Sequence, residues 1–138
     1  MDKRELVLKR IAAICATTGA TVKRMAVRVN FTERPAIVIN DGDESIELGK
    51  TGRTPMIVTL RPQLILMVQG EEPAPLVNAL RAKVLKALLT DETLATLLGE
   101  HGSIKYLGLE TGIKQGETME ADMALNFEAN YRLTPADL

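Results

Sequence analysis

In the stretch MEADMALNFEANYRL, residues 119–133, apolar side chains recur at every second position, which is the strongest structural signal in the chain. All eight odd positions are apolar, and six of the seven even positions are polar. With 46% apolar residues in the chain, eight consecutive matches have a chance probability of about 0.002. A period of two is that of a β-strand, whose successive side chains point to opposite faces of the sheet. The stretch predicts a strand with one buried face and one face toward solvent or a partner.

The length of this strand bears on assembly. Fifteen extended residues reach about 50 Å, whereas a domain of 138 residues has a diameter of about 40 Å. Two interpretations stay open. Either the end of the strand leaves its own domain and pairs with the sheet of another copy, or the strand is bulged and wholly internal.

Composition narrows the class of protein. The length predicts a single domain, residues 1–138, and the net charge of −1 gives no electrostatic case for direct binding of nucleic acid or of an anionic membrane. The only cysteine, Cys15, excludes an internal disulfide and favours a reducing compartment. No signal peptide and no apolar run of the ~20 residues that a membrane span needs are predicted. We expect a soluble protein made in the cytoplasm.

Patterns along the rest of the chain predict the other elements. A helix is expected over 2–18, and two later helices are expected to begin near Pro75 and at Thr90, which is the predicted N-cap. Asp41–Gly42–Asp43 is expected to form a hairpin turn, and Pro62 to mark a bulge, an edge or a kink. The further strands are predicted at 21–30, 36–40, 45–48 and 103–111, and the apolar runs 55–60 and 63–69 are expected to form either one long kinked strand or a pair of strands. This order predicts an α+β fold: a mostly antiparallel sheet of about five to six strands, with the N-terminal helix and a central helix pair on one face.

The residues that carry chemistry form no recognised catalytic pattern. The Gly-Lys-Thr at Lys50 lacks the earlier glycine and the following helix of a phosphate loop. Asp41, Asp43 and Glu44 do not follow the calcium-loop pattern, and the lone His101 has no partner at metal-ligand spacing. We therefore expect no catalytic residue, no cofactor and no metal, and a structural or binding role in place of enzyme activity.

The second half of the chain resembles a known family. The residues that carry the resemblance are Leu-Arg-Ala at 80–82, LLTDETL at 88–94, IKYLG at 104–108, and the alternating strand with its Asn-Phe at 126–127 and Tyr131. In this order they resemble the tail terminator proteins of long-tailed bacteriophages, also called minor tail or tail completion proteins. The order of elements in the N-terminal half is similar as well.

The resemblance implies a function. Such proteins are small α+β subunits that form a ring, here expected to be a hexamer, on the head-proximal end of the tail tube. The ring ends tube polymerisation and provides the head-joining surface, without cofactor or catalysis. The implied partners are other copies of the chain, the tail tube protein and a head-completion or connector protein, and DNA passes through the channel without specific binding. The implied location is the host cytoplasm during assembly of the phage or prophage, then the virion tail.

Charged residues in two places are the candidates for ring or partner contacts. Those in the segment 41–55 are expected to lie in a loop that becomes ordered in the ring. Those on the last strand are expected to lie on its even face, where the acidic ones would repel DNA phosphates in the channel. The candidates are Asp41, Asp43, Glu44, Lys50, Arg53, Glu120, Asp122, Glu128 and Arg132.

Other functions stay open from sequence. The first is a head–tail connector or adaptor subunit, which belongs to the same class of virion parts. The second, from a different class, is a small divalent-metal-dependent nuclease that uses Asp41, Asp43 and Glu44. The third is an ordinary cytoplasmic interaction domain with no phage role.

Overall fold

The computed structural model describes residues 2–25, 29–48, 55–114 and 120–137. Three helices and five strands follow one another as α1 Lys3–Ala16, β1 Thr21–Arg24, β2 Ala36–Glu47, β3 Met56–Gln69, α2 Pro73–Leu89, α3 Glu92–Leu98, β4 Ser103–Lys114 and β5 Glu120–Leu133. Short 3-10 turns lie at Phe31–Glu33 and Pro135–Asp137. The predicted α+β fold is confirmed. Lys50, Arg53 and Met119 lie outside the described residues.

The strands form one sheet in the order β1-β2-β3-β5-β4. All neighbouring pairs are antiparallel except β1 and β2, which are parallel. The predicted antiparallel sheet is therefore confirmed, with one parallel pair at its edge. The strand expected over 21–30 is shorter, because it ends at Arg24 and the next residue, Met25, has a φ of 52° that leaves the extended conformation.

The long strand β5 lies inside the sheet. It pairs with β3 along its whole length, from Glu120 opposite Gln69 to Leu133 opposite Met56. On its other side β4 pairs with it from Glu120 to Asn130. The idea that the end of this strand leaves its domain is therefore wrong. The strand β3 is also 14 residues long, and β5 pairs with strands of its own sheet.

A β-bulge replaces the hairpin turn that was expected at Asp41–Gly42–Asp43. The strand β2 continues through these residues, and its register against β3 shifts between Asn40 and Asp43. The bulge lies opposite Pro62, which has no N–H to give to a ladder, so the interruption falls where a hydrogen bond is missing in any case. Of the two alternatives for residues 55–69, one long strand or a pair of strands, the single strand is observed as β3. Residues 41–47 are likewise strand and not loop.

The helices cover one face of the sheet and form the core with it. On that face, β3 buries its even-numbered residues from 58 to 68 and β5 its odd-numbered residues from 121 to 131. The buried residues of the helices in this cluster include Val7 and Ile11 of α1, Val84 and Leu88 of α2, and Leu94 of α3. The alternation from which the fold was predicted thus separates a core face from the opposite face, here called the outer face.

The junction of α2 and α3 differs from expectation in its cap. Asp91, and not Thr90, is the N-cap of α3, because its carboxylate accepts a hydrogen bond of 2.8 Å from the Leu94 N–H. The Thr90 hydroxyl instead donates to the carbonyl of Lys86 at 2.6 Å and so belongs to the end of α2. Asp91 also accepts two hydrogen bonds of 2.9 and 2.7 Å from Arg10, which ties α1 to the start of α3.

This ion pair predicts a dependence of stability on pH. The hydrogen bonds from Arg10 lower the pKa of Asp91 below its ordinary value. The folded state therefore loses stability when the carboxylate must be protonated, which happens as the pH falls through about 3.9 and below. Asp91→Asn removes the charge but keeps a good N-cap. Between about pH 6 and pH 3, the melting temperature of wild type should fall more steeply than that of Asp91→Asn. Parallel curves would contradict this assignment.

Candidate assembly interface

The outer face of the sheet carries polar side chains that pair across the strands. The Gln63 side-chain N–H donates to the Asn126 side-chain oxygen at 3.0 Å, and Asn40 lies opposite Gln63 on β2. In the next polar row, the Thr59 hydroxyl donates to the Asn130 side-chain oxygen at 2.8 Å. Such cross-strand pairs contribute to the stability of the sheet. The outer face therefore presents polar rows that run perpendicular to the strands.

Between these polar rows lies a row of alternating charge. Asp43 of β2 is opposite Arg61 of β3, and Lys105 of β4 is opposite Glu128 of β5. Arg61 and Glu128 stand at corresponding positions of their strands, between the paired positions Leu60–Ala129 and Gln63–Asn126. Across the four strands the signs therefore read minus, plus, minus, plus. We call these four residues the charged row.

The charged candidates on β5 lie on this outer face, but they do not make it uniformly acidic. Glu120 forms an ion pair with Arg34 at 3.3 Å, and Glu128 belongs to the charged row. Asp122 has one buried carboxylate oxygen without a hydrogen-bond partner among the described residues. Arg132 is exposed near the end of the strand. Basic residues on neighbouring elements thus match much of the negative charge of this strand.

The acidic residues of β2 point in different directions. Asp41 accepts hydrogen bonds of 3.3 and 2.7 Å from Arg24, whose guanidinium also donates to Glu5 of α1 at 2.6 and 3.0 Å. These contacts raise the pKa of Arg24 and lower that of Glu5. Glu44 lies 3.6 Å from Arg4, on the side of the helices. Asp43 alone of the three belongs to the outer face.

This separation is unfavourable for the nuclease hypothesis. Within the described ranges, no group of three or more His, Cys, Asp or Glu side chains is placed to hold a metal ion. Asp41 and Glu44 interact with arginines of other elements, and a bound cation would have to displace these. His101 lies exposed in the turn between α3 and β4. No helix among the described residues is long and apolar enough to cross a membrane.

Two concavities accompany the sheet. A cavity of about 240 Å³ lies between α2 and the end of β3, with Pro35, Val68 and Leu80 among its apolar lining. An open groove of about 460 Å³ follows the bulge and is lined by Asn40, Asp43 and other polar residues. Among the described residues, neither concavity brings a nucleophile together with a base.

Cys15, the only thiol, is buried in the core cluster. Burial raises its pKa to about 12, so almost no thiolate exists at neutral pH. A disulfide-exchange reagent such as DTNB should label the native protein very slowly near pH 8 and should label one equivalent once urea unfolds it. Rapid native labelling would show that α1 is not packed as described.

The sequence did not single out Arg61 and Lys105. Each lies next to hydrophobic residues in a strand; Arg61 stands in no recognised motif, and Lys105 entered only as part of the IKYLG segment that carries the family resemblance. Their placement beside Glu128 follows only from strand order and register. The one signal that sequence offers is the alternation along each strand, which assigns a residue to a face but not to a neighbour.

Fold and surface together define a small α+β chain with one face of its sheet covered by helices and with polar and charged rows on the other face. No family model matches the chain, and no curated protein matches it. Among solved structures, a chain of the "Virion of native gene transfer agent (GTA) particle" is similar, with a TM-score of 0.61 and 16% sequence identity. The match covers 94% of this chain and 92% of that chain. At this identity the likeness shows a shared fold.

Proposed function

We propose that the chain is a structural virion protein that forms a ring on the head-proximal end of a phage tail tube. The ring ends tube polymerisation and provides the surface that joins the head. The protein acts as a single domain over residues 1–138, catalyses nothing, and assembles in the host cytoplasm before it becomes part of the virion tail. Its partners are further copies of itself, the tube protein and a head-completion protein, while DNA passes through without specific binding.

The observation that carries this proposal is the likeness to a chain of a virion over nearly the whole length of both chains. A match that leaves out only small parts of either chain argues that the entire fold, and not a common sub-motif, is shared. The resemblance of residues 80–133 to tail terminators is what supports a position at the end of the tail. The outer face offers polar and charged side chains for contacts with other virion proteins.

Tube growth tests the proposal. Purified protein is added to tube subunits of the same particle, and growth is followed by light scattering and electron microscopy. We expect amounts far below one copy per tube subunit to shorten the tubes and to leave a ring on one end only. Unchanged tube length together with bare ends would contradict the proposal.

The likeness to a virion chain also supports a head–tail connector subunit, because it does not specify a position in the particle. Binding of the purified protein to DNA-filled heads and to isolated tails distinguishes the two functions. A terminator binds the tail end and a connector binds the head. Binding of the purified protein to heads but not to tails would favour the connector.

A further inference from the structure

The far end of β2 carries side chains that the helices of its own subunit leave exposed. Glu44 lies opposite Leu60 and Ile46 opposite Val58, two core residues, so both project from the face of the sheet that carries the helices. Leu48 follows two residues later, just beyond the strand, and is 57% exposed, while Ile46 is 49% exposed. We call Glu44, Ile46 and Leu48 the end strip. It presents one acidic and two large apolar side chains to the outside of the subunit.

A groove along α2 has the complementary chemistry. The cavity between α2 and the end of β3 adjoins a second concavity beside α2, and the two share Thr18 and Lys83 in their linings. We call the two together the α2 groove. Leu76 lines the cavity and is 48% exposed. The two linings contain no acidic residue in the part of the chain that the structure describes. Their basic residues are Arg34, Lys83 and Lys86. Since Arg34 pairs with Glu120, the two lysines provide the positive charge that a partner meets.

The dimensions of the end strip and of the groove agree. A cavity of about 150 Å³ holds benzene, so this cavity of about 240 Å³ has room for a branched aliphatic side chain. Along α2, Leu76, Leu80 and Lys83 follow one another on one side of the helix at rises of about 6 and 4.5 Å. Alternate residues of a strand are spaced by about 6.6 Å, so a strand laid along the helix brings each member of the end strip to one of these positions. The resulting pairs are Leu48 with Leu76, Ile46 with Leu80, and Glu44 with Lys83.

A second copy of this chain is the partner that these features select. Within one subunit the end strip and the groove lie near opposite ends of β3, because Ile46 is opposite Val58 and the cavity is lined by Val68. Ten residue steps separate these two valines and span about 33 Å in a strand, so the strip does not reach its own groove. The acid of the strip and the lysines of the groove have opposite charge, and both surfaces expose large aliphatic side chains. A contact between two different surfaces of one chain is heterologous and repeats from copy to copy.

We propose that the end strip of one copy lies in the α2 groove of the next, with Ile46 in the cavity and Glu44 beside Lys83. In the free subunit Glu44 pairs with Arg4 at 3.6 Å, and both side chains are partly exposed. Exposed ion pairs contribute little to stability, so Glu44 exchanges this partner for Lys83 at small cost. The contact covers apolar side chains that each subunit leaves exposed, which favours association. The inference rests on the proposed ring and names the surfaces that join its subunits.

Charge reversal tests this contact by native mass spectrometry and size-exclusion chromatography. Glu44→Lys alone brings two lysines together, and Lys83→Glu alone brings two acids together. Each variant should raise the protein concentration needed for assembly by about tenfold. In an equal mixture every junction is complementary when the two variants alternate, so the mixture should assemble like wild type. Glu47→Lys is the matched control, because it makes the same change of charge on the opposite face of β2, and it should assemble normally.

The outcomes separate this inference from the proposed function. If wild type and both reversal variants form rings equally well, the ring stands and the groove contact is overturned. If wild type stays monomeric alone and on tail ends, both are overturned. Loss in each single variant with recovery in the mixture supports the contact when circular dichroism shows the same melting temperature for every variant. If a single variant melts earlier than wild type, a cysteine pair decides the question instead.

The cysteine pair gives a readout that does not depend on charge. Leu48→Cys combined with Leu76→Cys places two thiols at exposed positions that face each other across the proposed contact. Within one chain these positions lie near opposite ends of the sheet, more than about 30 Å apart, which is too far for a disulfide. The double variant should therefore oxidise only between copies and give a ladder of covalent multimers on a non-reducing gel. Each single variant should give dimers at most, and the buried Cys15 should not react. A double variant that remains monomeric under oxidising conditions while wild type forms rings would overturn the contact.

Discussion

Replacing Phe127 with Ala should lower the free energy of unfolding by about 3–5 kcal/mol. The Phe127 ring is 1% exposed in the middle of β5, and its centroid lies 5.4 Å from that of Tyr106. Its loss removes apolar burial and leaves a cavity between two strands and the helices. Since an entire domain is stable by only about 5–15 kcal/mol, the variant should be close to unfolding. Urea denaturation followed by circular dichroism measures the difference.

The matched control is Asn126→Ala, one residue away on the outer face. That change removes one half-exposed hydrogen bond with Gln63 and should cost about 1 kcal/mol or less. The contrast between the two neighbours measures how completely the alternation of β5 separates the core face from the outer face. Equal losses for the two variants would contradict the burial described here.

Replacing Gly42 with Ala should destabilise the protein by more than about 2 kcal/mol. An added Cβ would lie 1.8 Å from the Arg61 carbonyl oxygen, and the residue has a φ of +80°. The obstacle is backbone, so no side chain can turn away to make room. The bulge has to change its geometry, and with it the register of β2 against β3. Chemical denaturation of the purified variant gives the loss of stability.

Gly19→Ala is the control for the backbone conformation alone. Gly19 has a similar φ of +87°, but an added Cβ there meets nothing within 4 Å. Its substitution should cost only about 1–2 kcal/mol for the left-handed conformation. If the two alanine variants were equally stable, Gly42 would not be packed against β3.

The sequence was sufficient for the type of fold because its strongest signal is local. The period of two in β5 and the helical apolar stripes depend only on neighbours within a few residues. They place Leu125 and Phe127 in the core without knowledge of the partner strands. The length of β5 was also visible, but the interpretation that it projects from its domain was wrong. The lengths of β3 and β4, and their pairing with β5, decide that question.

The bulge at Gly42 shows why elements that depend on contacts between distant segments could not be predicted from sequence. The sequence Asp-Gly between two strand-like runs is a good turn signal, and nothing local distinguishes it from a bulge. The distinction depends on Pro62, about twenty residues later, which lies opposite the bulge and lacks an N–H. A contact between distant segments is therefore needed to assign this element.

The candidate interface was predictable only in part. Asp43 and Glu128 were selected for their charge, and both belong to the charged row. Their basic partners Arg61 and Lys105 were not selected, because side chains become neighbours across a sheet only through register. Asp41 and Glu44 were selected for the same reason as Asp43, yet ion pairs with α1 and Arg24 involve them in holding the subunit together.

Electron microscopy of the purified protein, alone and bound to tail tubes, shows whether copies of this chain close into a ring. We expect closed rings viewed end-on, with one ring at the head-proximal end of each tube. Particles that remain single subunits under both conditions, with tube ends left bare, would contradict it.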